Sequence, residues 1–324
     1  MFYPESVHLI QVLLLAVAID VFLGEPPAAL HPVVWIGKLI GVLKSAAPKK
    51  HRTLYGIGMA LTCVLFSGGL GYLVLYVAKL PVVPEVLGLA LEAYFLKATF
   101  AIRCLLSPAR EIYKELEEGS LDRVKELLPI YVSRDPGSLT KIQMSSAVVE
   151  SVSENFVDGI LTPIFYYALF GNLGLVAAYV YKAINTLDSM VGYKKEPYRE
   201  LGFFSARSDD VLNWIPARLS VFFITAAARL AAFIPQKDGK FSPGNCLRTA
   251  LREGANTPSP NSGYPMASAA GALKVRLQKP GVYVLGGKFR PTELKDIKRV
   301  SLLIAIASGL SVIAFSVMIW KLTA

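Results

Sequence analysis

In the stretch "ESVSENFVDG", residues 150–159, Glu150, Glu154 and Asp158 recur every four residues, with Asn155 beside them. On a helix, positions i, i+4 and i+8 stack along one face, so this spacing predicts an oxygen-rich stripe. Directly after it the chain turns almost purely apolar, "ILTPIFYYALFGNLGLVAAYVY". The ordinary reading of such a stripe is a solvated face matched by bases one turn away. Here no Lys or Arg stands between Lys141 and Lys182, and ionisable groups beside hydrocarbon are costly unless they work. The functional reading is therefore preferred.

Two further polar constellations follow. In "NTLDSMVGYKKEPYRELGFFSARSDDVLNWIPAR", Asn185 and Asp188 are one helical turn apart, as are Asp209 and Asn213, with Arg207 and Arg218 flanking. Ser208, Asp209 or Asp210 would suit an N-cap for the apolar helix that follows. Capping, however, needs one acid and leaves the second acid, the Asn and the two Arg unexplained. In "NTPSPNSGYPMASAAGAL", Pro258, Pro260, Gly263 and Pro265 impose a non-helical backbone before a small-residue helix. In "HPVVWIGKLI", His31 reads as a lone polar group at a helix start with Pro32 at the first helical position, and Trp35 and Lys38 as an interfacial anchor.

Clusters of Asp, Glu and Asn without paired His or Cys suit a hard cation such as Mg²⁺, which keeps waters and bridges substrate phosphates. Arg207, Arg218, Lys194 and Lys195 would offset the phosphate charge. A phosphate-binding G-x-x-x-x-G-K-[ST] loop is absent: "GVYVLGGKF" has the wrong spacing, with Phe289 in the hydroxyl position. Neither G-x-S-x-G nor H-E-x-x-H occurs. Cys63, Cys104 and Cys246 have no paired spacing, which argues against a disulfide framework or a zinc site.

The elements that must position these groups belong to a membrane protein. Of 324 residues, 53% are hydrophobic and only 18% charged, with a mean hydropathy of +0.46. A span needs about 20 mostly apolar residues. Four runs, about 6–23, 55–78, 86–106 and 300–320, meet that test directly, and 160–182 and 212–234 are read as two further spans. The first lacks a basic leader and a small-x-small cleavage site, and reads as a retained anchor. The net charge of +10 is spread among loops with no stripe of interleaved aromatics, which argues against nucleic acid. Lys44, Lys49, Lys50 and Arg52 place the loop between the first two spans in the cytoplasm and the N-terminus outside.

Between spans, "SPAREIYKELEEGSLDRVKELLPIYVSRDP" has helical periodicity, with Gly119-Ser120 as a stop and start. This predicts a cytoplasmic insert, about 107–155, of two short amphipathic helices, then a turn at Asp135-Pro136-Gly137 and a new helix from near Ser138. If 160–182 crossed the bilayer fully, Glu154 and Asp158 would end opposite Asp188 and Asp209. A break at Gly171-Asn172-Leu173-Gly174 would instead give two half-length helices in a re-entrant hairpin. The segment 236–299, with 12 Lys/Arg against 4 Asp/Glu, is biased to the cytoplasm. The expected fold is all-α: a polytopic membrane helical bundle with re-entrant or interfacial helices, forming one domain over 1–324.

Taken in order, "DVFLGEPP…HPVVWIGKLI", "SRDPGSL", "VVESVSENFVDGILTPIFYYALFG", "AYVYKAINTLDSMVGYKKEPYRELGFFSARSDDVLNWIPARL" and "SPNSGYPMASAAGAL" resemble the cobalamin-biosynthesis CobD/CbiB family, from about residue 15 to 290. The resemblance implies an adenosylcobinamide-phosphate synthase of the inner membrane. Such an enzyme uses ATP and Mg²⁺ to join adenosylcobyric acid to (R)-1-aminopropan-2-ol or its O-phosphate, beside other late cobalamin-pathway membrane enzymes. On that reading Glu154, Asp158, Asp188, Asp209 and Asp210 are metal- or amine-binding carboxylates, with Glu154, Asp158 and Asp209 the expected Mg²⁺ ligands. Asn155, Asn185 and Asn213 orient them. Arg207, Arg218 and Lys194 take phosphates, and Asn261 in "SPNSGYP" meets the corrin amides.

Two other classes compete. A membrane sensor of the AmpE type resembles the family distantly, but would predict erosion of the acidic and Asn groups, which are intact here. A corrinoid-binding or transport component also uses intramembrane acids and broken helices. Against it, the polar groups gather in loops and helix ends, and no repeated half is visible.

Overall fold

The computed structural model describes residues 5–130, 139–235 and 239–323. Its helices are α1 (Glu5–Phe22), α2 (Pro32–Ser45), α3 (Arg52–Ala78), α4 (Glu85–Lys97), α5 (Ile102–Glu118), α6 (Leu121–Leu127), α7 (Lys141–Phe156), α8 (Thr162–Phe170), α9 (Gly174–Val191), α10 (Tyr198–Leu201), α11 (Phe203–Leu212), α12 (Trp214–Ala231), α13 (Pro243–Glu253), α14 (Gly263–Leu273) and α15 (Lys295–Thr323). Three short strands, β1 (Val275–Lys279), β2 (Tyr283–Leu285) and β3 (Arg290–Pro291), form a small sheet inside the basic segment. β1 pairs antiparallel with β2 and parallel with β3. The fold is that of an all-α membrane protein, and the sheet is an addition that the sequence did not announce.

The chain divides into two compact units. The first holds Met1–Ala101, Thr162–Leu212 and Val312–Ala324; the second holds Ile102–Leu161 and Asn213–Ser311. Among the described residues, the helical stretches Glu5–Phe22, Arg52–Ala78, Lys141–Val191, Trp214–Ala231 and Lys295–Thr323 have the length and hydropathy of a membrane span.

The expected span 86–106 is corrected. α4 ends at Lys97 and α5 begins at Ile102, and neither piece is apolar throughout. Glu92 and Lys97 are the reason, because charges in hydrocarbon must find partners. Both are buried in the first unit: Glu92 pairs with His8 at 3.2 Å, and Lys97 pairs with Asp20 at 3.5 Å and with Glu25. At about 1.5 Å per residue, the 13 residues of α4 also fall well short of the hydrocarbon thickness.

The break at Gly171-Gly174 is present, and it folds the chain back on itself. A 3₁₀ turn, Gly171–Leu173, joins α8 to α9, and the ring of Tyr166 stacks on that of Tyr181 with centroids 5.7 Å apart. One straight helix would hold these rings about 22 Å apart, so α8 and α9 form a hairpin. Gly171 takes a left-handed φ of +53°, and a Cβ at Gly174 would collide with the carbonyl oxygen of Tyr167, so the tight turn requires glycine. Asn172 Nδ2 at the tip donates to Glu5 Oε2 at 2.8 Å. The hairpin therefore reaches the level where α1 starts, and its arms are unequal, of 9 and 18 residues.

In the second unit, α5 and α6 are the two amphipathic helices of the insert, separated at Gly119, whose φ is +83°. The Asp135-Pro136-Gly137 turn lies outside the described residues. α7 starts in a capping box: Thr140 Oγ1 accepts from the Gln143 amide, and Gln143 returns the bond to the Thr140 amide. α15 is anchored at its start by Asp296, which accepts from Arg290 at 2.7 and 2.8 Å and from Arg299 at 2.8 Å. This three-way ion pair is buried on the Asp296 and Arg299 side.

Candidate functional site

The polar groups predicted from sequence fall on both units: Asn185, Asp188, Lys194, Arg207, Asp209 and Asp210 on the first, Glu154, Asn155, Asp158, Asn213, Arg218 and Asn261 on the second.

In the first unit the cluster grows from the end of α9. Continuing the antiparallel pairing of Tyr166 with Tyr181 by one turn brings Thr162 level with Asn185, so the hairpin returns the chain to the level at which α8 began. Asn185 is buried there; its Nδ2 donates to Asp209 Oδ1 at 3.2 Å, and its Oδ1 accepts from Lys182 Nζ at 3.4 Å. Tyr166 donates to the Leu212 carbonyl at 3.0 Å, which ties the end of α11 to the hairpin. α11 runs unbroken through Ser208, Asp209 and Asp210, so none of them is an N-cap; that reading is overturned because the helix starts at Phe203. Asp188 lies one turn past Asn185, and any side chain at Gly192 would strike its carboxylate.

Burial pushes the Asp210 carboxyl above the ordinary carboxylate range, and the charges of Arg207 and Lys194 draw it part of the way back. Arg207 is exposed and lies over the Phe203 ring at 5.8 Å; Lys194 is exposed too. The first unit thus joins a carboxylate held by Asn185, Asp209, to a neighbouring carboxyl raised by burial and to two exposed cations.

In the second unit the acidic stripe is not one uniform face. Glu150 is buried and accepts from Ser146 Oγ at 2.8 Å and Tyr283 Oη at 2.7 Å, which ties α7 to β2. Glu154 is half-buried, and the Asn155 amide donates back to Ser151 O and Oγ at 2.9 and 3.1 Å. Asp158 falls inside a π-helical turn, Val157–Leu161, which displaces it from the regular four-residue spacing. Such turns are rare and concentrate at functional sites.

Asn213 is buried immediately before α12. Arg218 is sandwiched between the Trp214 and Tyr264 rings, 4.1 and 4.5 Å from their centroids, and donates to Trp214 O at 2.7 Å and to Asn261 Oδ1 at 3.4 Å. It braces the "SPNSGYP" loop against α12, a role the sequence did not distinguish from phosphate binding.

Among the described residues, no three His, Cys, Asp or Glu side chains gather as a metal cage. Mg²⁺ commonly takes one or two carboxylates and completes its shell with water and substrate phosphates, and Asp209, held by Asn185, fits that smaller demand.

Sequence reasoning missed one network in the first unit. His31 does cap α2 through Nδ1, which accepts from the Val33 amide at 3.2 Å. It is not alone, because its Nε2 lies 2.9 Å from Glu25 Oε2, and Glu25 meets Lys97, which meets Asp20. Burial raises the Glu25 carboxyl, but hydrogen bonds from His31 and Lys97 outweigh it and hold the group below its usual value. The signal available was Lys97 itself, a cation at the end of an apolar run.

Fold and polar groups together define a helical membrane protein with several buried or half-buried charged side chains, among them Glu92, Lys97, Glu150 and Asp209. The model of the CobD/Cbib protein family matches residues 13–307, and the chain belongs to that family. It is 43% identical over 312 residues to the probable cobalamin biosynthesis protein CobD of Methanothrix thermoacetophila, covering 93% of this chain and 94% of that protein. It is 37% identical to the cobalamin biosynthesis proteins CobD of Photorhabdus laumondii, over 94% of this chain and 95% of that one, and of Klebsiella pneumoniae, over 92% and 93%. No solved structure matches the chain.

Proposed function

We propose that this chain acts in cobalamin biosynthesis as an amide synthase of the cytoplasmic membrane, its site facing the cytoplasm. Its substrates are adenosylcobyric acid, ATP with Mg²⁺, and (R)-1-aminopropan-2-ol or its O-phosphate. A carboxylate oxygen of the corrinoid attacks the γ-phosphorus of ATP, ADP departs, and an acyl phosphate forms. The amine nitrogen then attacks the acyl carbon, the C–O bond to phosphate breaks, and the ammonium proton passes to a base. Mg²⁺ supplies charge neutralisation on the transferring phosphoryl group.

The observation that carries this reading is the Lys182–Asn185–Asp209 chain beside Asp210, in a member of this family. Asp209 is the carboxylate offered to the cation, with Asn185 fixing its rotamer. Asp210 is the base, since a carboxyl raised by burial takes a proton more readily than an exposed one. Arg207 and Lys194 attract phosphate oxygens. Asp188, one turn past Asn185 in the same unit, is a further carboxylate for the amine or the cation. Arg218 and Asn261 shape a loop that accepts the corrin amides.

Purified protein in detergent, given adenosylcobyric acid, ATP, Mg²⁺ and each amine in turn, tests the reading. A corrinoid heavier by the amine residue, with stoichiometric ADP and phosphate, supports it and selects the donor. Folded protein that binds corrinoid and forms no product with either amine would return the chain to a binding or transport role.

A further inference from the structure

A cavity in the second unit belongs to none of the groups above. It opens between α5 and the first turns of α15, has a volume of about 510 Å³, and is lined by Arg110, Tyr113, Lys114, Glu117, Lys298, Ser301, Leu302 and Ala305. Three cations face one acid there. Lys298 sits over the Tyr113 ring at 3.8 Å, and Tyr113 donates to Glu117. Lys114 also reaches Glu118 at 3.7 Å, but both side chains are well exposed and such a pair is weak.

The cavity is graded along α15. Its charged end lies at Lys298, just past the Asp296 anchor, and its apolar end at Leu302 and Ala305, one to two turns into the membrane-length helix. α5, the other wall, is strongly amphipathic: Leu105, Leu106, Ala109, Ile112 and Leu116 are buried, while Arg110 and Lys114 are exposed. The exposed face of α5 also carries Glu111, Glu117 and Glu118, so the positive charge is local to the cavity, where Arg110, Lys114 and Lys298 outnumber Glu117. Cations at one end and apolar side chains at the other match a phosphate that carries hydrocarbon, and basic pockets beside spanning helices hold such headgroups.

We propose that this cavity binds the phosphate of an anionic phospholipid, with Arg110, Lys114 and Lys298 on the headgroup and Leu302 and Ala305 against the first acyl carbons. The site is independent of the amide-forming chemistry.

Native mass spectrometry of the full chain in detergent, titrated with phosphatidylglycerol, phosphatidylcholine or sn-glycerol 3-phosphate, tests it. Phosphatidylglycerol is expected to stay bound at least about fivefold more tightly than phosphatidylcholine, and Arg110→Gln or Lys298→Gln should each weaken it about fivefold. Lys125→Gln, an exposed charge change elsewhere in the unit, should leave it unchanged, and circular dichroism verifies that each variant is folded. Unaltered phosphatidylglycerol binding in both cavity variants would overturn the site. Equal binding of glycerol phosphate would assign the cavity to a soluble phosphate and overturn the lipid.

Discussion

Asn185 and Asp209 stand 24 residues apart in the chain, yet Asn185 Nδ2 reaches Asp209 Oδ1 at 3.2 Å, and both side chains are buried. The bond fixes the carboxylate that the proposed chemistry offers to a cation. Partners of this kind, one step behind a ligand, typically contribute about 10- to 100-fold to affinity or activity. Asn185→Ala should therefore raise the Mg²⁺ concentration for half-maximal amide formation by about that factor while thermal unfolding shifts little. Unchanged Mg²⁺ dependence would remove Asn185 from this role.

The proposed role of Asp210 as the base carries a pH dependence. A base must be deprotonated, so turnover is lost as pH falls through a pKa that burial has raised above the ordinary range. Arg207 lowers that pKa, so Arg207→Gln should move the acid limb of the pH profile to higher pH. Asp210→Asn should reduce turnover about 100-fold or more and abolish that limb. An acid limb that stays in place in Arg207→Gln would disconnect the two groups.

Lys97 is fully buried between Asp20 and Glu25. Removing one member of a buried ion pair strands the other charge, so Lys97→Ala should cost roughly 3–5 kcal/mol, read as a lower unfolding temperature in detergent. Glu25 carries the matching pH signature. Its folded pKa is depressed, so its contribution is present above the unfolded value of 4.5 and fades as pH drops through the lower folded one. Glu25→Gln should flatten that acid-side loss of stability.

The hairpin makes a steric prediction. Gly174→Ala places a methyl against the Tyr167 carbonyl oxygen, with the Tyr167 ring also close. Overpacking of this sort costs about 1–3 kcal/mol. Ala at the exposed Gly69, which meets no neighbour, should be neutral by comparison, and equal melting temperatures for the two variants would refute the tight turn.

Membrane residence, the insert helices α5 and α6, the break at Gly171–Gly174 and the order of the polar motifs were all legible in the sequence. Hydropathy, periodicity and glycine placement are local properties, set by neighbours along the chain. What the sequence misjudged depends on partners far away. Residues 86–106 looked like a span until Glu92 found His8 and Lys97 found Asp20 and Glu25. Spacing left a cap open as one reading of Asp209, and only the packing of α11 beside α9 placed Asn185 alongside it. The four-residue stripe became a tethered Glu150, a half-buried Glu154 and an Asp158 carried on a π turn. Spacing specifies which residues can share a face, but burial and hydrogen-bond partners, which decide whether a carboxylate is a strut or a reagent, arise only when the helices pack.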